Sequence, residues 1–261
     1  MAFPKQLVFR RTLGLAGGLG LAVLLLGAGQ GERSDTATDN PFDVPLQLIA
    51  KARHSYQETT DYSCVFIKKE VIKGQMQPEN LITMKVRSSP FSVYMYWHRP
   101  KAQEAQEACY VEGRNGGKMR AHSPGLLGAV GFVSIEPLDP RCLQSSRHAI
   151  TEAGIGNLIE RFGDRWAVEQ KLGRTQVTVA DYEYNKRRCT RVETIHPENN
   201  GKAFQFYRSL VYFDKQNHLP IRVENYDWPK PGGDPKGTLL ESYSYANLKL
   251  NVGLPDATFV H

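Results

Sequence analysis

The stretch FSVYMYW (residues 91–97) alternates two kinds of side chain. Because successive side chains of a β-strand point to opposite faces, one face of this stretch would carry only large apolar groups. These are Phe91, Val93, Met95 and Trp97. The other face would carry a serine and two tyrosine rings with polar tips. The stretch therefore predicts a strand that packs against other residues on both sides.

The same period of two recurs along most of the chain. Segments 62–74 and 79–89 precede the stretch, and 108–113 and 117–122 flank an Asn-Gly hairpin signal at 114–117. Alternation returns later in 174–184, 187–196, 203–213, 219–227 and 239–250. Neighbouring strands joined by connections this short must be antiparallel, since parallel neighbours need long crossovers.

Two segments show helical spacing instead. In 43–56, Asp43 can cap the first turn, and apolar residues recur every three or four positions. The second helix is predicted over 148–163, although Gly154 and Gly156 would weaken it. These elements predict an α+β fold: a large curved antiparallel sheet of about ten strands, a half-open barrel with two or three helices packed in its concave side. A sandwich or a closed barrel is the alternative.

The N-terminus predicts an exported protein. Residues 1–30 combine a basic start with an apolar run, which is typical of a signal peptide or, if uncleaved, an N-terminal membrane anchor. Residues 31–41 then predict a disordered tether, and 42–261 a single domain. Without Lys5, Arg10 and Arg11 the net charge falls from +6 to +3. So small an excess of positive charge does not indicate nucleic-acid binding. Localisation is therefore predicted to be periplasmic or otherwise extracytoplasmic.

Signals of chemistry are weak. The sequence has no G-x-S-x-G or H-E-x-x-H motif, and the four cysteines have no spacing suited to a metal, so no catalytic residue, metal or cofactor is predicted. An even cysteine count in an exported chain predicts disulfides. The basic turn 185–191 is either a solvated hairpin tip or a peripheral contact with anionic membrane headgroups.

The apolar faces form the candidate site. They predict either an ordinary core or a cavity for flexible apolar chains, lined by adaptable methionine and large aromatic side chains. The predicted lining residues are Val65, Ile67, Ile82, Met84, Val86, Phe91, Val93, Met95, Trp97, Leu158, Phe162, Ile221 and Val223. The glycine-rich segment 123–131 would act as a lid over this cavity.

Several local patterns in this order resemble a family of exported bacterial proteins whose role is uncharacterised. They are Tyr62-x-Cys64, Lys85-x-Arg87, FSVY (91–94), YVEG (110–113), YDWP (226–229) and the segment Leu248 to Phe259. The resemblance spans about 42–260. More distantly, the C-terminal pattern is similar to that of periplasmic lipoprotein carriers and related lipid-binding proteins.

The resemblance implies a half-open barrel whose concave side binds acyl chains beneath helical lids. It also implies the disulfide pairs Cys64–Cys189 and Cys109–Cys142, because Cys64 and Cys189 fall within the family's pattern and Cys109 and Cys142 fall outside it. The function expected is a non-enzymatic carrier or sensor of an acyl chain, lipid or lipoprotein, with an envelope protein as a further partner. A structural domain with a self-filled hollow and a secreted hydrolase are the alternatives.

Overall fold

Twelve strands of the described chain pair into one antiparallel sheet, which curves without closing. The computed structural model describes residues 40–197 and 203–261. The predicted leader and residues 31–39 of the predicted tether lie outside these residues and stay predictions.

The sheet runs from a very short edge strand to a long one. In chain order its strands are β1 (Asp61–Ile72), β2 (Gln75–Met76), β3 (Asn80–Arg87), β4 (Ser92–Arg99), β5 (Glu107–Val111), β6 (Met119–His122), β7 (Val133–Ile135), β8 (Gln176–Tyr184), β9 (Arg187–Ile195), β10 (Arg208–Asp214), β11 (Pro220–Asp227) and β12 (Thr238–Leu250). Their order across the sheet is β7-β6-β5-β4-β3-β1-β12-β11-β10-β9-β8, with β2 paired to β1. The predicted α+β class and open sheet are confirmed. The extra strands, β2 and β7, have two and three residues, too few for a visible alternation.

Three helices accompany the sheet in the described residues: α1 (Asp43–Gln57), α2 (Pro140–Leu143) and α3 (Ile155–Leu172). The first agrees with its predicted span. The second predicted helix was placed too early, because α3 begins only after Gly154. That glycine has φ of +96°, a conformation that is not helical and that favours glycine.

Helices α1 and α3 pack against each other over the concave face of the sheet. A Cβ atom on Gly156 would lie 2.4 Å from the ring of Tyr56, so the missing side chain permits the close approach of the two helices. The core beneath them joins apolar residues of both helices and of the sheet, including Ile49, Ile159, Phe162, Trp166, Met84, Val86 and Val93. The glycine that weakens the helix in isolation thus serves its packing.

The outer face of β4 is covered by the C-terminal segment. Tyr94 stacks on the ring of His261 with centroids 4.9 Å apart, and Phe259 packs against Cys109 of the neighbouring strand. Asp61 holds this segment in place, since its carboxylate accepts hydrogen bonds from the backbone N–H groups of residues 252–254 at 2.7–3.2 Å. Strand β4 therefore packs on both sides, as its sequence predicts.

The predicted disulfide between Cys64 and Cys189 is wrong, since both cysteines are free. Cys64 lies in β1 and Cys189 in β9, and three strands separate β1 from β9 in the sheet. Four steps between neighbouring strands amount to about 19 Å along the sheet. A disulfide needs Cα atoms within about 7 Å of each other.

The predicted disulfide between Cys109 and Cys142 is wrong for a different reason. Ala108 belongs to the core on the concave face, so the next residue, Cys109, points to the outer face, where it packs against Phe259. Cys142, by contrast, lines a cavity on the concave side. The sheet therefore lies between the two thiols, and both are free.

Candidate ligand-binding site

A cavity of ≈ 580 Å³ lies on the concave face beside α3. We call it the main cavity. Its floor includes Ile82, Met95 and Trp97 of the predicted set, and Leu158 of α3 contributes a wall. Segment 119–153, which contains β6, β7 and the start of the connection to α3, supplies much of the remaining lining. Part of the predicted apolar face thus borders open space, and part is core.

Other predicted residues lie deeper or elsewhere. Met84, Val86 and Val93 are fully buried in the core, and Phe91 packs against that core at its margin. Phe162 and Val223 line a smaller chamber of ≈ 260 Å³, which we call the side chamber. The predicted set therefore combines core residues with lining residues of two adjoining spaces.

Val65 and Ile67 were predicted to share the face of Ile82, and this is wrong. In β1 it is Phe66 that pairs with Ile82, so Val65 and Ile67 point to the outer face. Both faces of β1 carry apolar residues, which makes the phase of its alternation ambiguous in the sequence. A shift of one residue moves every side chain to the opposite face.

Ile221 was also placed wrongly. It packs with Leu210, Tyr212 and Cys189 in a separate cluster, whereas Val223 belongs to the main core. The pairing of β10 with β11 shifts register between Tyr212 and Phe213. A bulge of this kind adds one residue to a strand and breaks the strict alternation.

One end of the main cavity is charged. Lys68 and Glu70, both buried on β1, form an ion pair with 3.0 Å between Nζ and the carboxylate. The hydroxyl of Tyr243 donates to Glu70 at 2.6 Å. Burial and the two neighbouring carboxylates raise the pKa of Tyr243, so its hydroxyl stays a donor. The cavity is therefore apolar along its floor and polar at one end.

Glu241 is the centre of a network of charged side chains that lines the side chamber, which we call the charged wall: Arg147, His148, Glu152, Arg161 and Glu241. Its carboxylate accepts hydrogen bonds from Arg147 Nε at 2.7 Å, from Asn225 Nδ2 at 2.7 Å and from the His148 ring at 3.1 Å. Burial alone would raise the pKa of Glu241, but these partners outweigh it and lower the pKa to about 2. Glu241 is thus a buried, ionised carboxylate.

His148 links Glu241 to a second carboxylate. Its Nδ1 lies 3.0 Å from Glu152, which also pairs with Arg161 at 2.9 Å. Burial lowers the pKa of His148, yet the hydrogen bond to Glu241 and the charge of that residue raise it more, and the net shift is upward. The wall therefore favours the imidazolium form.

The family model described as "Protein of unknown function (DUF1571)" matches residues 59–261. The chain belongs to this family. The predicted membership in an uncharacterised family is thereby confirmed. No curated protein matches this DUF1571 chain.

Several solved structures are similar to this chain at low sequence identity. An uncharacterised conserved protein from Thermus thermophilus has 10% identity and a TM-score of 0.47, covering 83% of this chain and 92% of its own. Lipoprotein LppX from Mycobacterium tuberculosis has 11% identity and a TM-score of 0.44, and the match covers 81% of this chain and 97% of LppX. A LolA superfamily protein from Nitrosomonas europaea has 11% identity and a TM-score of 0.33, and the match covers 82% of this chain and 96% of that protein. Because each TM-score lies below 0.5, these similarities carry no information about function.

The polar end of the main cavity and the charged wall of this DUF1571 chain were both missed in the sequence, although a signal exists. Lys68 and Glu70 continue the alternation of Phe66, and Glu241 continues that of Tyr243 and Tyr245. Charged residues at inward positions predict a polar end of the site once the phase of the strand is known.

Within residues 40–197 and 203–261, no helix is long and apolar enough to cross a membrane. The same residues contain no cluster of three or more His, Cys, Asp or Glu side chains that could hold a metal ion.

Proposed function

We propose that this DUF1571 protein is a non-enzymatic extracytoplasmic carrier or sensor that holds an acyl chain or other apolar ligand in the main cavity. The observation that carries the proposal is the ≈ 580 Å³ of space beside α3. Ligand pockets typically occupy about 300–1,000 Å³ and are mostly apolar. Met95 suits a variable chain because its flexible thioether adapts to different shapes. The extracytoplasmic localisation in this proposal rests on the predicted signal peptide or anchor, residues 1–30.

The rim of the cavity supports exchange of such a ligand. Val130 and Val133 line the cavity and are 74% and 38% exposed, and Leu138 nearby is 68% exposed. Exposed apolar residues grouped at a cavity mouth are typical of surfaces that contact a membrane or another protein. The predicted lid, 123–131, contributes Val130 to this rim. An apolar rim lowers the cost of passing a chain to a second apolar surface.

A hydrolase has less support. Lys68 Nζ lies 3.2 Å from Ser146 Oγ at the polar end of the cavity, which is a pairing that some nucleophilic enzymes use. Lys68 Nζ also forms an ion pair with the Glu70 carboxylate at 3.0 Å, so Ser146 is not its only partner. The Ser146 hydroxyl donates to the carbonyl of His148 at 3.0 Å. A serine without a base is a weak nucleophile.

The structural alternative, a hollow filled by its own helices, also has less support. Helices α1 and α3 fill one part of the hollow, and the main cavity remains in the other. Packed protein interiors contain few voids larger than a water molecule. A space of this size is expected in a binding protein and not in a purely structural core.

We expect the delipidated protein to bind the uncharged dye N-phenyl-1-naphthylamine at one site, with enhanced fluorescence. Ala121→Trp should weaken this binding by about tenfold or more, because the indole would occupy the space that the dye needs. Ala121 faces the main cavity from β6 and is half-buried, so the larger side chain can enter open space. Fluorescence titration measures both affinities.

Ala180→Trp on the edge strand β8 is the matched control, since Ala180 does not line the cavity. It should leave the affinity for the dye unchanged. Absence of dye binding to the delipidated wild type, or equal binding by the Ala121→Trp protein, would favour the structural alternative.

A further inference from the structure

The side chamber adjoins the main cavity and differs from it in charge. The two spaces share His148, Glu152, Leu158, Arg161 and Tyr243 as lining residues. The side chamber is also lined by three arginines, Arg147, Arg161 and Arg165, against two carboxylates, Glu152 and Glu241. Its lining therefore carries a net positive charge before His148 is counted.

Both carboxylates of the side chamber are already engaged. Glu241 pairs with Arg147 at 2.7 Å, and Glu152 pairs with Arg161 at 2.9 Å. His148 lies within 3.1 Å of both. This pairing leaves the third guanidinium, that of Arg165, without a carboxylate from the chamber.

Arg165 packs against two aromatic rings, and the described residues use only part of its hydrogen-bonding capacity. Its guanidinium lies 5.1 Å from the ring centroid of Phe162 and 4.9 Å from that of Phe206, and both phenylalanines are buried. Nη2 donates to Gln205 at 2.6 Å, whereas Nη1 is buried and has no hydrogen-bond partner among the described residues. Glu169, whose charge also acts on Arg165, is paired with His196 at 3.2 Å.

A guanidinium with a buried in-plane donor that has no partner in the described part of the chain is suited to binding an oxyanion. Arginine binds carboxylate and phosphate groups through parallel N–H donors, and such charge-assisted hydrogen bonds are stronger than neutral ones. Leaving a buried charged donor without a partner is unfavourable. A neutral headgroup would offer no charge to offset it.

Building on the proposed function, we infer that the ligand is an anionic amphiphile: its carboxylate or phosphate binds Arg165 in the side chamber, and its apolar chain lies in the main cavity. The two spaces share five lining residues, which places the group that binds the head next to the space for the chain. Gln205, which is exposed and lines the side chamber, places the head near solvent and the chain inside.

Competition against N-phenyl-1-naphthylamine tests this inference with three ligands of one chain length: dodecanoate, dodecyl phosphate and dodecanol. At least one of the two anions should bind about tenfold to a hundredfold more tightly than dodecanol. This expectation is stringent, because a charged head on its own favours water over a protein interior. The tighter of the two anions identifies a fatty-acid type or a phospholipid type of head.

Arg165→Gln should bring the ratio of anion to alcohol affinity close to one, while Arg188→Gln, at an exposed position on β9, should keep the wild-type ratio. If Arg165→Gln does not fold, Arg165→Lys, which keeps the charge and loses the fork of donors, should lower the ratio. Equal binding of anions and dodecanol by the wild type would overturn the inference and leave the carrier function standing. Failure of the dye and of all three ligands to bind would overturn both.

Discussion

Replacing Glu241 by glutamine is expected to lower the free energy of unfolding by about 3–5 kcal/mol, because it leaves Arg147 and His148 beside a neutral group in a buried site. The side chain of Glu241 is 2% exposed. Its pKa of about 2 gives a second estimate of how much the ionised carboxylate contributes to the free energy of unfolding. Relative to about 4.3 in an unfolded chain, the shift corresponds to about 3 kcal/mol. Urea denaturation at pH 5 measures the difference.

The same substitution should change how stability depends on pH. Because the folded pKa of Glu241 lies below the unfolded one, its contribution is present above about pH 4.3 and is lost as the pH falls through about 2. From pH 5 to pH 3, the difference in free energy of unfolding between the wild type and Glu241→Gln should fall to roughly half. In the wild type, His148 does not add to this change, since its pKa is about 6.5 in the unfolded chain and higher in the folded one, so it is protonated in both states at pH 5 and pH 3.

Glu183→Gln is the control for this pair of measurements, because Glu183 is exposed on β8. It should change stability by no more than about 0.5 kcal/mol at either pH. A loss below about 1 kcal/mol for Glu241→Gln, or a loss that grows toward pH 3, would show that Glu241 is not a buried, ionised partner of Arg147 and His148.

Trp166→Ala should destabilise the protein by about 3–5 kcal/mol, the usual cost of removing a buried aromatic ring. The ring is fully buried and joins α3 to the sheet, with centroids 5.4 Å from Phe162 and 6.2 Å from Phe213. Its Nε1 has no hydrogen-bond partner among the described residues, so the loss would come from packing. Urea denaturation curves with an unchanged slope would report it directly.

Val168→Ala is the matched control on the same helix. Val168 is 55% exposed, and alanine has the higher helix propensity, so stability should stay within about 0.5 kcal/mol. If Trp166→Ala cost as little as this control, α3 would not be the element that closes this part of the hollow.

The sequence predicts the architecture well, since each long strand has a clear period of two and short connections force antiparallel pairing. Its errors have local causes. The phase of β1 is lost because Val65 and Ile67 are as apolar as Cys64 and Phe66 on the other face. A bulge places Ile221 on the outer face, and no residue type in the sequence predicts that bulge.

The candidate site was predicted less completely, because its polar half depends on pairs of residues distant in sequence. Glu70 and Tyr243 are 173 residues apart and meet only through the pairing of β1 with β12. Charged side chains are rarely buried unless they are paired, so a single sequence suggests a solvated position for each. Arg165 likewise depends on Phe206, which belongs to a different part of the chain.

The pairing of β1 with β12 has a consequence for how the chain reaches its native state. Strands β3 to β7 add to β1 in chain order, and β8 to β12 form a second local series, so each half is built from neighbours in sequence. The junction of the halves needs the last strand of the chain to find the first. Loop closure over such a distance is slow, and contacts of this range limit folding rates. The concave face would therefore stay incomplete, with its apolar floor uncovered, until β12 had paired with β1.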